Sequence, residues 1–244
     1  MDLSDVPQLQ GRIKKSIVVE RSGHKIGIIG YLTPETHDIS DPGKVKLTDE
    51  IKAINEEAER LKREENVKVI IALGHSGYKR DKVIAAECPL VDVVVGGHSN
   101  SFLFTGKPWP SSEEPSGNYP TLVTQSNGKV VPVVQAYAYT KYLGYMNLTF
   151  DSDGKLTAYP GKPILLDHTW PQDQEILERL KPYKEKLEEF SQKLVGETRV
   201  KLDKSREKES TLGNLFTDAM VYWVRNEFLK KIILFFIEWC IAGQ

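Results

Sequence analysis

The sequence predicts an α/β fold, and three observations support this prediction. Short β-branched or apolar segments, which are typical of buried strands, occur at 25–32, 67–73 and 91–95. Helical patterns separate them, at 48–65 and 81–87. The order strand, helix, strand, helix, strand indicates a core sheet with parallel pairing. The 244 residues suffice for one large domain, or for one domain and part of another.

The first helix and the second strand have clear local signatures. Apolar residues of the helix recur at spacings of three and four, and they form one face: Ile51, Ile54, Ala58 and Leu61. Thr48 or Asp49 can cap its first turn. The segment 67–73 is bounded by Asn66 and Gly74 and is too short for a comfortable helix, so we predict a strand.

The pattern changes after the third strand. Residues 102–119 are rich in Pro, Ser and Gly, which predicts a long surface loop. Three strands of a more antiparallel region are predicted next, at 121–124, 130–139 and 142–150. A charged helix with one apolar face is predicted at 171–194, and a further helix is predicted to begin near Thr211.

Composition excludes some partners and leaves the compartment open. The formal net charge is −1, which gives no reason to expect a nucleic acid polymer or an anionic membrane as partner. Cys88 and Cys240 cannot build a disulfide framework. The first residues lack the pattern of a secretory signal, and the apolar stretch 232–242 is too short for a membrane anchor. Asn147 begins a glycosylation sequon, whose use the sequence leaves undecided.

Two similar turns carry the candidate chemistry. Each leads from a buried strand through glycine into a histidine and a serine, at His75-Ser76 and His98-Ser99. Ligands of open α/β sheets collect at the carboxyl ends of the strands, so both histidines are expected at the same edge of the sheet. The glycines are expected to let the backbone turn sharply and approach an ion or a phosphate. Neutral imidazole is a common ligand of zinc, manganese and iron.

A structural alternative competes with the metal hypothesis. A single histidine at a strand end more commonly hydrogen-bonds a carbonyl group, and a two-metal phosphate-cleaving site also needs bridging carboxylates. The sequence contains neither an Asp-x-His nor a Gly-Asn-His motif. We interpret His24, His37 and His168 as surface residues and Asp92 as a structural one.

Beyond these turns, longer segments resemble a known family. LGHSG (73–77) and VDVVVGGHSNSFLFTG (91–106) are similar to segments of the 5′-nucleotidase family of metallophosphoesterases, and the resemblance continues through 119–151 and 205–220. Vertebrate ecto-5′-nucleotidases and arthropod salivary apyrases belong to this family. The resemblance implies an α/β chain of three parts. They are the C-terminal part of a calcineurin-like metallophosphoesterase sandwich domain (1–170), a connector helix (171–194), and the start of a C-terminal nucleotide-binding domain (195–244).

The resemblance also implies roles for four residues. His75 and His98 match two ligands of a dinuclear divalent-metal site, with zinc as the expected ion. Asn100 matches a polar residue that faces the substrate. Arg206 matches an arginine that helps to hold the nucleotide, a role for which the planar guanidinium suits oxyanions. No residue of this chain matches the catalytic histidine of the family.

Departures from the family pattern limit the prediction. The Asp-x-His pair, the bridging aspartate and the Gly-Asn-His-Glu motif have no counterpart, and after about Phe228 the sequence no longer resembles the family. Ser205 and Ser210 occupy positions that are often cysteine in relatives. We therefore predict a family segment that is truncated at both ends and has an incomplete site.

Three functions remain open at this point. The first is hydrolysis of a nucleoside monophosphate such as AMP, the second is an apyrase acting on ATP and ADP, and the third is a non-catalytic remnant that binds a nucleotide or a metal. Members of the family are extracellular or attached to the cell surface. The sequence gives no prediction of oligomeric state.

Overall fold

The computed structural model describes residues 1–203, 205 and 208–229. These residues belong to two compact units, Met1–Pro171 and Gln172–Gln244. The strands are β1 (Ser16–Arg21), β2 (His24–Leu32), β3 (Val69–His75), β4 (Val93–Val95), β5 (Thr121–Thr124), β6 (Val130–Val134), β7 (Tyr142–Met146), β8 (Thr149–Phe150), β9 (Leu156–Ala158) and β10 (Gly161–Leu165). The α-helices are α1 (Thr36–Ile39), α2 (Glu50–Glu65), α3 (Tyr78–Glu87), α4 (Gln174–Ser191) and α5 (Thr211–Trp223).

A six-stranded sheet forms the centre of the first unit, and its strand order is β1-β2-β3-β4-β6-β5. Strands β2, β3, β4 and β6 pair in parallel, whereas β1 and β5 lie antiparallel at the two edges. The predicted α/β class with parallel core pairing is therefore confirmed.

The region after the long loop differs from the prediction in one respect. We expected its strands to form a more antiparallel region, but β6 joins the main sheet beside β4 and runs parallel to it. The other pairs of this region are antiparallel as expected: β5 pairs with β6, and β7–β10 and β8–β9 form two small separate antiparallel sheets. The sequence pattern could not reveal this, because the paired residues Val95 and Val134 lie 39 positions apart in the chain.

Helices α2 and α3 cover one face of the sheet. The predicted apolar face of α2 is buried at Ile54, Ala58 and Leu61, which belong to the main hydrophobic cluster. Asp49 rather than Thr48 caps the helix, since its carboxylate accepts a hydrogen bond of 2.8 Å from the backbone N–H of Lys52. Tight packing of α2 on the sheet follows from this burial.

The opposite face of the sheet is less covered. Parallel and antiparallel pairing align Ile17, Ile28 and Ile71 in one row across three strands. Ile17 and Leu73 each keep 49% of their surface exposed. This face of the sheet is therefore apolar in composition, a pattern typical of strands buried on both sides, although part of it is exposed.

The second unit contains the predicted charged helix, α4. Asp173 caps it by accepting a hydrogen bond from the backbone N–H of Ile176 (3.1 Å). The apolar face of α4 is exposed: Ile176, Leu180, Tyr183, Leu187 and Phe190. Among the described helices, none combines the length and hydropathy of a membrane span. The apolar stretch 232–242 lies outside the described residues.

Asp92 is structural, in agreement with the interpretation from sequence. It lies just before β4, and its backbone N–H donates to the carbonyl of Ile70 (2.8 Å). Its buried carboxylate accepts from the backbone N–H of Ile70 (2.8 Å) and pairs with the ammonium of Lys129 (2.6 Å). The side chain therefore sets where β4 meets β3.

We predict that Asp92→Ala lowers the free energy of unfolding by about 2–3 kcal/mol, because it leaves the buried N–H of Ile70 without an acceptor and Lys129 without its partner. Asp92→Asn is the matched control, since it removes the charge but keeps an acceptor, and it should cost less. Urea unfolding of both variants measures the difference. Equal losses would contradict the role given to the Ile70 hydrogen bond.

Candidate functional site

His75 and His98 lie together at the edge of the sheet where the parallel strands end, here called the carboxyl edge. His75 is the last residue of β3, and His98 follows the end of β4 by three residues. Their imidazole rings have centroids 5.0 Å apart and an interplanar angle of 68°. His75 is exposed and His98 is half-buried. The expectation that both turns reach one edge is therefore met by the geometry.

Neither imidazole hydrogen-bonds to any residue that the structure describes. The structural alternative, in which a strand-end histidine simply bonds a carbonyl group, is thus not what the described residues show. The ring nitrogens keep their capacity to donate to or accept from a ligand.

The separation of the rings fits a shared ion. Two imidazoles bound to one tetrahedral ion at about 2.0–2.1 Å per nitrogen have ring centroids about 5 Å apart. The donor set is nevertheless small, because no group of three or more His, Cys, Asp or Glu side chains able to hold a metal occurs among the described residues. The described residues bring two imidazoles together here, which is fewer donors than a two-metal site needs.

Glycines around the two histidines have a different role from the one expected. Of those before the histidines, Gly74, Gly96 and Gly97 do not have positive φ. Neighbouring side chains instead fill the space that a side chain at each of these positions would need. A Cβ would lie 2.4 Å from the Tyr31 ring at Gly74, 1.8 Å from the Asp81 carboxylate at Gly96, and 3.0 Å from His75 Nδ1 at Gly97. Close side-chain packing, rather than a sharp turn, requires glycine there.

Two of the candidate site residues themselves have a left-handed backbone. His98 has φ +74° and Asn100 has φ +50°. For a residue other than glycine, this region costs roughly 1–2 kcal/mol. Such conformations persist when the surrounding contacts determine them, and they concentrate at functional sites.

A buried polar network lies against this segment, and its members come from three other elements. Gln135 directly follows β6, Asp81 is in α3 and Tyr31 is in β2; all three are buried. The Tyr31 hydroxyl donates to Asp81 Oδ1 (2.8 Å), and Gln135 Nε2 donates to Asp81 Oδ2 (3.3 Å). Burial raises the pKa of the Asp81 carboxyl to about 6, against the opposing effect of these two hydrogen bonds.

The residues predicted from the sequence are only partly brought together. Asn100 is exposed and lies two positions after His98. Arg206 lies outside the described residues. Sequence reasoning missed Tyr31, Asp81 and Gln135, because nothing in the local pattern of these residues marks them as neighbours of the histidines.

Comparison with known proteins gives the context of this arrangement. No family model matches the chain. The chain is 46% identical to the 5′-nucleotidase of Mus musculus over 219 residues, which is 88% of the chain and 38% of that protein. It is 38% identical to an apyrase of Tabanus yao over 225 residues, which is 91% of the chain and 41% of that protein.

A solved structure agrees with these sequence matches. The 5′-nucleotidase precursor from Thermus thermophilus superposes with a TM-score of 0.85 at 36% identity, and the match covers 92% of this chain and 45% of that one. The chain thus spans roughly two fifths of the length of the curated relatives that it matches.

We predict that Gly97→Ala displaces the His75 ring and lowers the free energy of unfolding by about 1–3 kcal/mol, because the new methyl group would meet His75 Nδ1 at 3.0 Å. Gly30→Ala is the control, since nothing lies within 4 Å of a Cβ at that position of β2. NMR of the histidine Cε1–Hε1 signals and urea unfolding measure the two effects. An unmoved His75 signal in Gly97→Ala would contradict the prediction.

Proposed function

Because the chain belongs to the 5′-nucleotidase family over the region that it shares with these relatives, we propose that it forms part of a metal-dependent phosphohydrolase that cleaves a phosphate ester of a nucleotide. The observation that carries the proposal is the pair of imidazoles at the carboxyl edge, with ring centroids 5.0 Å apart. This edge is where ligands bind in open α/β sheets.

In this proposal His75 and His98 are two of the ligands of a divalent-metal site, and zinc is the ion that we assign. When bound, such ions stabilise the negative charge that develops on the phosphoryl oxygens. The chain's own contribution is to hold two imidazoles at one edge, with their nitrogens free of hydrogen bonds to the described residues. Further ligands, including carboxylates, belong to the whole protein and not to the described residues.

Two further residues are assigned to the nucleotide. Asn100 is exposed beside the imidazole pair, and its amide can donate to a phosphate or ribose oxygen or accept from a hydroxyl. Arg206 is assigned to the nucleotide by its match to the family, as a bidentate partner for an oxyanion. Extracellular or cell-surface placement is proposed on the same family grounds.

The substrate that we propose is a nucleoside monophosphate such as AMP, which would be converted to a nucleoside and phosphate. An apyrase activity on ATP and ADP is a second candidate, and the similarity to the Tabanus yao apyrase favours it. A non-catalytic remnant that binds a nucleotide or a metal is the third, and it is favoured by the presence of only two clustered metal ligands among the described residues.

We predict that the purified chain binds Zn²⁺ and that His75→Ala and His98→Ala each weaken this binding by at least about tenfold, because each variant removes one of the two nitrogen donors. His37→Ala is the matched control, since His37 is exposed in α1 and has no part in the pair. Isothermal titration of the four proteins with ZnCl₂ gives the affinities. Equal affinities would contradict the assignment of the ligands.

Phosphate release from AMP, ADP and ATP, measured with added zinc, separates the three functions. Release from AMP alone supports a monophosphatase, and release from ADP and ATP supports an apyrase. Turnover that disappears in His98→Ala would overturn the remnant hypothesis. Zinc binding without turnover would overturn catalysis by this chain and support the remnant.

A further inference from the structure

Gln135 makes hydrogen bonds on both sides of His98 and Asn100. Its Nε2 donates to the carbonyl of Gly97 (3.0 Å), and its Oε1 accepts from the backbone N–H of Ser101. Residues 97–101, here called the His98 turn, are therefore held at both ends by one buried amide. Gln135 itself is 3% exposed.

The orientation of this amide is determined by its neighbours. Nε2 faces two groups that only accept, the Gly97 carbonyl and the Asp81 carboxylate, whereas Oε1 faces the N–H of Ser101, which only donates. Rotation of the amide by 180° would place donor against donor and acceptor against acceptor. Gln135 can therefore hold the turn in only one way.

Asp81 fixes Gln135 in turn. The carboxylate is fully buried, and each of its oxygens accepts one hydrogen bond, from Tyr31 or from Gln135. Gly96 leaves the space that this carboxylate fills. Tyr31, Asp81 and Gln135 thus form a chain of hydrogen bonds that runs from β2 through α3 to the His98 turn.

Ser99 connects the same turn to the start of α3. Its hydroxyl oxygen accepts a hydrogen bond from the backbone N–H of Tyr78 (3.0 Å) and lies 3.2 Å from Gln135 Oε1, to which it donates. The N-terminus of α3, whose first N–H groups lack partners within the helix, therefore contributes to the position of the turn.

We propose that Gln135 is a positioning residue for His98 and Asn100. The two residues adopt left-handed backbone conformations that are unfavourable for side chains other than glycine, and Gln135 binds the backbone immediately before and immediately after them. Its amide holds the turn so that the His98 ring faces His75. The chemical purpose of this arrangement rests on the proposed function, in which His98 is a metal ligand.

Gln125 provides a matched comparison within the same unit. It is also buried, at 5% exposure, and its Nε2 donates to the carbonyls of Ala85 and Cys88 at the end of α3 (2.8 and 2.9 Å). A glutamine that only stabilises the fold should behave like Gln125. A positioning residue should also change the state of His98.

The experiment compares Gln135→Met and Gln125→Met in the full chain. Both variants should unfold at lower urea concentration, because each leaves buried backbone groups without a partner. Only Gln135→Met should shift the Cε1–Hε1 NMR signal of His98 in the metal-free protein, speed hydrogen exchange of the Ser101 amide, and weaken Zn²⁺ binding by about tenfold or more. The His37 signal serves as internal reference.

The outcomes separate this inference from the proposed function. If Gln135→Met leaves the His98 signal, the Ser101 exchange rate and the Zn²⁺ affinity as they are in Gln125→Met, the positioning role is overturned. If the unaltered chain binds no Zn²⁺ through His98, the proposed function fails, while the metal-free NMR comparison still decides the positioning role.

A second pair of variants covers the case in which Gln135→Met does not fold. Gln135→Glu keeps the size of the side chain but sets an oxygen against the Gly97 carbonyl and the Asp81 carboxylate, and it should shift the His98 signal. Adding Asp81→Asn to Gln135→Glu restores a hydrogen-bond donor opposite residue 135. The His98 signal should then move part of the way back to its position in the unaltered chain. A signal that stays displaced in the double variant, or never shifts in the single one, would contradict the inference.

Discussion

The parallel pairing of β2, β3, β4 and β6 is the constraint on which the candidate site depends. Its register places Leu32 beside His75, Leu73 beside Val95, and Val95 beside Val134. The strands therefore end within a few residues of one another at the carboxyl edge. A slip of one residue in any pair would turn the side chains of that strand to the other face of the sheet and separate the residues that meet there.

Space at this edge is as restricted as the register. Tyr31, Asp81 and His75 each occupy the volume that a side chain at Gly74, Gly96 or Gly97 would need. This pairing of glycines with large neighbours allows the ends of β2, β3 and β4 to approach closely. It also leaves the His75 and His98 rings in contact. These glycines therefore act through packing, whereas His98 and Asn100 are the residues of the His98 turn that have a positive φ.

Hydrogen bonds within the protein hold the two segments that carry the imidazoles. The buried network around Gln135 fixes the His98 turn, and the end of β3 fixes His75. Ligands that are ordered by the fold lose less conformational freedom when they bind, which favours affinity.

The sequence by itself determined the α/β class, the positions of the core strands and helices, and the pair of histidines, because these depend on local periodicity and on motifs a few residues long. It placed Asp92 in a structural role, which its bonds to Ile70 and Lys129 confirm. Only the tertiary structure decided that β6 joins the parallel sheet and that Gln135 lies under the His98 turn. Those contacts join residues far apart in the chain, and hydrogen bonds between such residues leave no periodic trace in the sequence.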